Sequence, residues 1–473
     1  MSSEIEEYVR SLGLDAYTVG GAVRDELAGR GSKDADFLVP GVDIAGLRDA
    51  LAAHGRTEEL IVAGRPVGVR FFPSDRGVRR KVPAGIELAP PRREVSTGPG
   101  RHDFDIVVDP AATVEQDLAR RDFTINAMAR RLADGELVDP YGGRGDLERG
   151  ILRTVSPTSF AEDPLRLVRG LRFVSQLDVD PDDETVRQMR EEADGVRLVS
   201  GERIGGGLAA DGLGELSKLL LGAHPWKALR LARDTGVLVA LLPELGPSIG
   251  FDQESAYHGL TVDEHTFAVV QAAADAGMPL RIRLAALLHD TGKPLVAWRG
   301  RDGRLHYYAR PGSSERSHEQ VGAELAREAL SRLRYPTELR RRVVQIVRHH
   351  MLAPRGDEAR ARRLLARYGD ELTFDLLDHK EADLRGKLGP GEPPPADQLA
   401  DLAAFRKVVE RELSSPHRLR DLAVSGTDLI ELGYTPGPAL GQVLRTLLHE
   451  VVERPSRNTR ENLLARAEEL RAS

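Results

Sequence analysis

YTVGGAVRDELAGRGSKDADFLV, residues 17–39, is the most informative stretch near the N-terminus. Tyr17-Thr18-Val19 is a short apolar run that predicts a strand, Gly20-Gly21 breaks it, and Ala22 to Leu27 predicts the start of a helix carrying Arg24 and Asp25. Backbone without side chains at a strand-to-helix turn lets a phosphate approach the helix N-terminus, where unpaired N–H groups favour negative charge, and Arg24 adds a second contact. Asp34-Ala35-Asp36 then leads into the apolar strand Phe37-Leu38-Val39. Residues i and i+2 of a strand share a face, roughly 6.7 Å apart, so the two carboxylates converge on one spot. Two anions about 4 Å apart repel by roughly 4 kcal/mol at an effective dielectric near 20. A divalent cation removes that cost, and a pair of Mg²⁺ ions about 3.5–4 Å apart can activate a hydroxyl and hold a triphosphate for in-line displacement.

Outward from this stretch the pattern stays α/β. Ile44 to His54 predicts a helix and Leu60 to Phe72 a strand-like piece. Pro73 to Pro83, with Arg76, Arg79, Arg80 and Lys81, predicts a loop, Gly85 to Leu88 a brief strand containing Glu87, and Pro90 to Arg101 a second basic loop. Phe104 to Val108 predicts a strand, Thr113 to Gln116 a capping-box helix start, and RRDFTINA follows at residues 120–127. The order G-G-x-V-R-D, then D-x-D, resembles the nucleotidyltransferase head shared by bacterial tRNA CCA-adding enzymes and poly(A) polymerases. RRDFTINA matches a motif of that family almost letter for letter. The resemblance implies that Glu87 joins Asp34 and Asp36 as a third carboxylate and that Arg121 meets the incoming nucleotide. It also implies that Asp122 and Asn126 order the helix around Arg121.

SFAEDPLRLVRGLRF, residues 159–173, carries the next element. Pro164 suits a first helical position with Asp163 before it, and Asp163 and Arg166, three apart, share one face of a helical turn. A carboxylate accepts from an exocyclic amine while a guanidinium donates to the adjacent ring nitrogen, so one Asp/Arg pair can take cytosine and adenine and refuse uracil and guanine. The family's E-D-x-x-R base-selecting element corresponds to Glu162, Asp163 and Arg166, and Arg169 and Arg172 match positions that contact nucleotide. Thr185 to Glu192, Leu216 to Leu221 and Trp226 to Leu242 predict helices, whereas the Gly-rich Gly205 to Gly214 departs from the helix the family runs there.

A second constellation spans His258 to Asp383: His265, His289-Asp290 after the apolar run Leu284 to Leu288, His318, His349-His350 and Asp383. Histidines and carboxylates on successive helices suit a divalent metal in an all-helical bundle. The series resembles an HD phosphohydrolase domain, with His265, His289, Asp290 and Asp383 matching its metal ligands, a divalent transition metal or Mg²⁺. One bacterial subgroup of CCA-adding enzymes carries such a domain, associated with phosphatase and 2′,3′-cyclic phosphodiesterase activities. The basic stretches Arg340 to Arg348 and Arg360 to Arg367 are candidates for RNA backbone contact or solvated helix faces, and Leu388 to Gln398 predicts a linker. SGTDLIELGYTPGPALGQVLRTLL, residues 425–448, resembles the tail of the same enzymes; Thr427 is expected to cap a short helix and Pro436-Gly437-Pro438 to start the next.

The 473 residues, 41% hydrophobic and 30% charged with a net charge of −7 and no cysteine, exclude disulfides and cysteine metal sites and predict a multidomain globular protein. No stretch approaches about 18 uninterrupted apolar residues, so a membrane is not an expected partner and a cytoplasmic location is. The expected architecture is an α+β head with a mixed sheet (1–145), an all-α neck (146–250), an HD-type helical domain (251–387) and a linker with a helical tail (388–473). The expected activity is template-independent addition of CCA to tRNA from CTP and ATP. A poly(A) polymerase, a CC-only or A-only adding enzyme, and a metal phosphohydrolase with an inert head are the alternatives.

Overall fold

The computed structural model describes residues 2–31, 36–62, 64–96, 104–206, 212–254, 259–301, 303–309, 316–353, 355–389 and 393–472, and only the backbone of 2–3, 94–96, 104–106 and 472. Asp34 and His258 therefore lie outside the described residues. The chain forms two compact units, Met1–Pro243 and Glu244–Ser473.

The first unit begins with α1 (Ser2–Ser11), β1 (Tyr17–Val19), α2 (Gly21–Leu27), β2 (Asp36–Leu38) and α3 (Ile44–Leu51). It continues through β3 (Gly55–Val62), β4 (Arg65–Pro73), α4 (Arg76–Lys81) and β5 (Ile86–Ala89). The hairpin β6 (Arg92–Ser96) and β7 (Phe104–Val108), α5 (Val114–Ala119), β8 (Ala129–Arg131), β9 (Leu137–Val138) and α6 (Gly143–Arg149) complete the head. Seven strands form one mixed sheet in the order β3-β4-β5-β2-β1-β8-β9. Within it β2 and β5 run parallel, with Asp36 opposite Glu87, Phe37 opposite Leu88 and Leu38 opposite Ala89. Strand alternation sorts the side chains. Phe37, Val69, Phe71, Ile86 and Leu88 face a core closed by Ile5 and Val9 of α1 and Leu47 and Leu51 of α3. Val19, Leu38 and Ala129 face a smaller core closed by Val114 and Leu118 of α5. Asp36 and Glu87, each one residue out of step with the larger core, belong to this second face.

Four local expectations are corrected. Leu60 to Phe72 is the heart of a hairpin, β3 and β4 paired from Gly55 opposite Pro73 to Val62 opposite Arg65, with Gly64 at φ +77° in the turn. Residues 76–81 are helical because Asp75 accepts from the Val78 N–H at 2.9 Å and caps them. Part of the second basic loop is strand, Arg92 to Ser96 pairing with Phe104 to Val108. RRDFTINA is not a helix face: α5 ends at Ala119, and the string continues as an extended turn and a 3₁₀ turn at Thr124–Asn126.

The rest of the unit runs through β10 (Ile151–Leu152), α7 (Ser159–Glu162), α8 (Leu165–Leu177), β11 (Asp180–Pro181), α9 (Asp183–Glu191), α10 (Glu215–Leu220), α11 (Pro225–Asp234) and α12 (Val237–Leu241). Pro164 separates α7 from α8, since the residue before proline avoids helical geometry and Asp163 is extended at φ −140°, ψ 99°. Gly236, at φ +81°, splits the single helix expected over Trp226 to Leu242.

The second unit contains α13 (Val262–Asp275), α14 (Leu280–Leu288), α15 (Lys293–Val296), the small hairpin β12 (Trp298–Arg299) and β13 (Leu305–His306), α16 (His318–Arg332), α17 (Thr337–His349) and α18 (Glu358–Arg385), kinked at Gly369. It ends with α19 (Ala396–Glu412), α20 (Gly426–Glu431), α21 (Pro438–Glu453) and α22 (Arg460–Ala472). Phe267, Val269 and Val270 of α13 and Ile282, Leu284 and Leu287 of α14 are all buried, which places these two helices centrally. Leu429, Leu447, Val451, Leu463 and Ala467 make the tail core. Ser425, rather than Thr427, caps α20 through a capping box with Asp428, while Pro438 opens α21 as expected. Arg341, Arg342, Arg362 and Arg363 of the two basic stretches bind Glu338, Asp375, Glu412 and Glu453, which favours the solvated or internally paired reading. Among the described residues no helix is long and apolar enough to cross a membrane.

Candidate functional site

The turn after β1 is shaped by Arg121. Gly20 holds φ +66°, and a Cβ there would stand 2.5 Å from Arg121 Nη1. Its N–H donates to the Met128 carbonyl at 3.0 Å, so it is engaged within the fold. Arg121 is held from behind by Asp117, which is fully buried and accepts from Arg121 Nη2 at 3.3 Å and from Arg120 Nη2 at 2.7 Å. Burial lowers the Arg121 pKa, and Asp117 counters part of that effect.

A polar chain runs from this turn into α8. Arg24 Nη1 donates to Asn126 Oδ1 at 2.7 Å, and Asn126 Nδ2 donates to Asp122 Oδ1 at 3.0 Å. Asp122 Oδ1 also accepts from the Phe123 N–H at 2.9 Å, and its Oδ2 accepts from Arg169 Nε at 2.8 Å. Burial alone would push the Asp122 carboxyl up, but Arg169, Asn126 and the Phe123 N–H outweigh it and leave a pKa of about 2. Arg169 reaches on to Glu215 at 3.3 Å, and Glu215 binds Arg172 at 3.1 Å. Burial lowers Arg172 to about 10 despite Glu215. Arg24, Arg169 and Arg172 all lie over the Phe173 ring, at 5.2, 5.8 and 4.4 Å from its centroid. Sequence reasoning therefore placed Arg24, Arg121, Arg169 and Arg172 in one neighbourhood, and the structure joins Arg24 to Arg169 and Arg172 through Asn126, Asp122, Glu215 and the shared Phe173 ring.

The side chains of the expected base-reading pair bind different partners. Asp163 Oδ1 accepts from the Leu165 N–H at 3.1 Å, and its carboxylate binds the Arg203 guanidinium at 3.3 and 3.1 Å. Arg166 is buried and donates to the Ser159 carbonyl at 3.2 Å, Ser159 Oγ at 3.0 Å, Glu162 at 3.1 Å and the Arg120 carbonyl at 2.7 Å. Its guanidinium thus fixes the turn between α7 and α8, and the guanidinium beside Asp163 is that of Arg203. Of the carboxylates, Asp36 is exposed and stands in register with Glu87, which accepts from Arg70 at 2.5 Å. Two carboxylates on neighbouring strands of one sheet face fit a hard divalent cation.

In the second unit His265 Nε2 lies 3.3 Å from Asp383 Oδ1 and 3.7 Å from Asp290 Oδ2, and His289 Nε2 lies 3.1 Å from the same Asp290 oxygen. All four are buried. The Ala286 carbonyl 2.9 Å from His289 Nδ1 can only accept, which puts a proton on Nδ1 and turns Nε2 toward Asp290. Burial would raise the Asp290 pKa, but His289 and Lys293 draw it well below the usual range. Nitrogen and carboxylate donors converging in this way fit a divalent transition metal.

Four family profiles match the chain in order: Poly A polymerase head domain at residues 16–153, an RNA and SrmB-binding site of polymerase A at 178–248, HD domain at 262–403 and tRNA nucleotidyltransferase domain 2 at 406–467. The Multifunctional CCA protein of Alkalilimnicola ehrlichii is 38% identical over 404 residues, covering 80% of this chain and 86% of the relative. The chain belongs to the multifunctional CCA protein family. The Pseudomonas fluorescens member is 33% identical over 449 residues, covering 91% of this chain and 95% of its own. The crystal structure of Bacillus stearothermophilus CCA-adding enzyme in complex with CTP is similar with a TM-score of 0.68 at 25% identity, covering 99% of this chain and 96% of that one. The nucleotidyltransferase and HD families to which the chain is related use divalent metals.

Sequence reasoning missed Asp117, Glu215, Arg203 and His379. A buried acid three and four residues before a pair of arginines was a usable signal for Asp117, as was a lone acid opening the apolar run of α10 for Glu215. Nothing local marks Arg203, whose partner lies forty residues upstream. His379 is fully buried, 5.2 Å from the His289 ring, and sits one helical turn before Asp383.

Proposed function

We propose that the chain adds CCA to the 3′ end of tRNA from CTP and ATP without a nucleic-acid template, acting in the cytoplasm. The observation that carries this is the in-register pairing of Asp36 with Glu87 on the sheet face next to the Gly20 turn, in one unit with the arginine chain. Asp34, Asp36 and Glu87 would hold Mg²⁺, which when bound assists attack of the primer hydroxyl on the α-phosphorus and neutralises the departing pyrophosphate. The backbone after Gly20 and the Arg24 side chain hold the triphosphate, and Arg121, Arg169 and Arg172 orient the nucleotide. Asp163 accepts from the base's exocyclic amine, sharing or displacing Arg203, while Arg166 keeps the turn that presents it. The working divisions are 1–145, 146–250, 251–387 and 388–473, with the last segment holding tRNA.

The test uses tRNA transcripts ending at the discriminator, at C and at CC, with CTP and ATP supplied separately. Full addition predicts CMP incorporation on the first two and AMP only on the third; runs of A on every transcript would mean a poly(A) polymerase, and a stop after CC or activity only on CC would mean a partial enzyme. In the same assay Asp163→Ala and Arg166→Ala are each expected to shrink the preference for C and A over U and G by ten- to a hundredfold, about 1–3 kcal/mol. Unchanged preference in both would remove this turn from base selection. Gly20→Ala puts a side chain at positive φ against Arg121. It should raise the KM for CTP about tenfold and cost about 1–2 kcal/mol of stability; saturation kinetics and a thermal melt measure both.

A second activity is favoured by the cluster of His265, His289 and Asp290, with Asp383 beside His265: metal-dependent hydrolysis of phosphate esters in the second unit. Loss of phosphatase activity in His289→Ala with CCA addition retained would separate it from the first.

A further inference from the structure

Three arginines of α4 have no partner within the protein. Arg76, Arg79 and Arg80 are exposed, and among the described residues none of their side chains makes an ion pair or a hydrogen bond. Other arginines of the head are paired, Arg24 with Asp25, Arg48 with Glu59 and Arg121 with Asp117. Even Lys81, at the end of the same helix, reaches Glu4 of α1.

Positions i, i+3 and i+4 of a helix share one face with Cβ atoms about 5–6 Å apart, so the three guanidinium groups form one cluster. Val78 takes the opposite side and packs against the larger core. The helix dipole accounts for cations in the last turn, where Arg79 and Arg80 stand, but it disfavours Arg76 in the first. The Asp75 carboxylate is engaged in capping the helix through the Val78 N–H. Like charges this close repel, and a polyanion laid along the face removes the repulsion.

The place of α4 says which polyanion. α4 joins the last residue of β4 to the first of β5, so it stands at the end of the sheet where Asp36 and Glu87 lie opposite each other on β2 and β5. Gly85, at φ +89°, turns the chain into β5, its N–H donating to the Val82 carbonyl at 2.9 Å. The chain from Lys81 to Glu87 spans at most about 20 Å even when fully extended. In the strand order β4-β5-β2-β1 the two carboxylates lie between α4 on one side and the Gly20 turn on the other. In-line displacement puts the attacking hydroxyl opposite the departing pyrophosphate. With the triphosphate at the Gly20 turn and Arg24, the primer therefore arrives from the α4 side, and its last few phosphates pass over this end of the sheet.

We propose that Arg76, Arg79 and Arg80 bind the phosphodiester backbone of the RNA primer just before its 3′ end, an assignment that rests on the nucleotidyl transfer proposed above. The experiment is filter binding of the full chain to a tRNA transcript ending at the discriminator, over a range of KCl concentrations, with the parent set against the triple variant Arg76→Gln, Arg79→Gln and Arg80→Gln. Each neutralised phosphate adds about 0.7–0.9 to the slope of log affinity against log salt, so the variant is expected to lose about two from that slope and about tenfold or more in affinity near 0.1 M salt. Its KM for the transcript should rise with that for CTP unchanged. Arg144→Gln, Arg187→Gln and Arg197→Gln together remove the same charge from exposed sites of the same unit and should leave the slope as it is. An equal loss in that control, or an unchanged slope in the α4 variant, overturns the assignment. A rise confined to the KM for CTP also overturns it and moves the arginines to the triphosphate. Methylphosphonates in place of the last few phosphates of the transcript should weaken binding by the parent and add nothing in the variant; equal weakening of both counts against the contact. A variant that matches a parent active in CCA addition sinks only this assignment, whereas a parent that neither binds nor extends the transcript sinks the nucleotidyl transfer with it.

Discussion

Asp36→Ala is expected to incorporate CMP and AMP about a thousandfold more slowly than the parent while unfolding at the same temperature. The catalytic part of this expectation follows from where charge accumulates. In-line displacement at a phosphorus loads negative charge onto oxygens already surrounded by the rest of a triphosphate, and the groups that hold counter-charge there supply several kcal/mol of the lowered barrier. About 4 kcal/mol corresponds to the thousandfold loss. The stability part follows from position. Asp36 is the first residue of β2 and exposed, whereas its neighbours Phe37 and Leu38 are buried, so truncating it leaves both sheet cores intact. Removing one of two like charges in register also relieves repulsion with Glu87. Primer extension gels and a thermal melt check the two halves. Extension at more than a tenth of the parent rate would take Asp36 out of the chemistry. A melting temperature lower by more than about 5 °C would mean that Asp36 has a structural duty its place on the sheet does not suggest.

The parts of this site that were legible in the sequence are those written in neighbouring residues. Gly20-Gly21, the Thr113 capping box and the proline that separates Asp163 from α8 each act through contacts a few residues away, and each appears where its local chemistry predicts. The hairpin of β3 and β4 was harder to see. β3 carries Arg56, Glu58 and Glu59 and exposes much of both faces, so it lacks the alternation that marks a half-buried strand. Partner choice was harder still. Which arginine lies beside Asp163 depends on the path of the chain between α9 and α10, and a face argument confined to one helical turn picks Arg166, the nearer in sequence. The fold instead turns Arg166 onto backbone carbonyls of its own turn and of Arg120. The fold class, the head followed by helices, was legible because it rests on order along the chain rather than on pairing, and the same order led to His265, His289, Asp290 and Asp383, which the fold brings together.

Pairing is also what makes Asp122 the residue whose loss should cost the first unit most. Asp122→Ala strips one buried carboxylate from between Arg169, Asn126 and the Phe123 N–H, and leaves the half-buried Arg169 guanidinium with Glu215, which it already shares with Arg172. Losing the buried partner of a half-buried ion pair, together with its hydrogen bonds to Asn126 and the Phe123 N–H, costs about 2–3 kcal/mol, below the cost of a fully desolvated charge because solvent reaches part of Arg169. Urea unfolding followed by circular dichroism is expected to show a loss of that size, and a loss below about 1 kcal/mol would mean that Glu215 and solvent replace Asp122 as the partner of Arg169. The milder Asp122→Asn variant tests the electrostatic origin through pH. With a folded pKa of about 2, below the ordinary value of 3.8, the Asp122 charge contributes stability that is fully present above about pH 4 and lost as pH falls through 2. Across that window the parent should lose about 2–3 kcal/mol that the asparagine variant does not lose, so the gap between them narrows as acid is added. A gap that stays constant from pH 5 to pH 2 would assign the role of Asp122 to its hydrogen bonds and shape. The same substitution bears on catalysis, because Asp122 is the link through which Arg24 at the Gly20 turn and Arg169 on α8 are held in one network: both Asp122 variants should raise the KM for CTP more than they lower kcat.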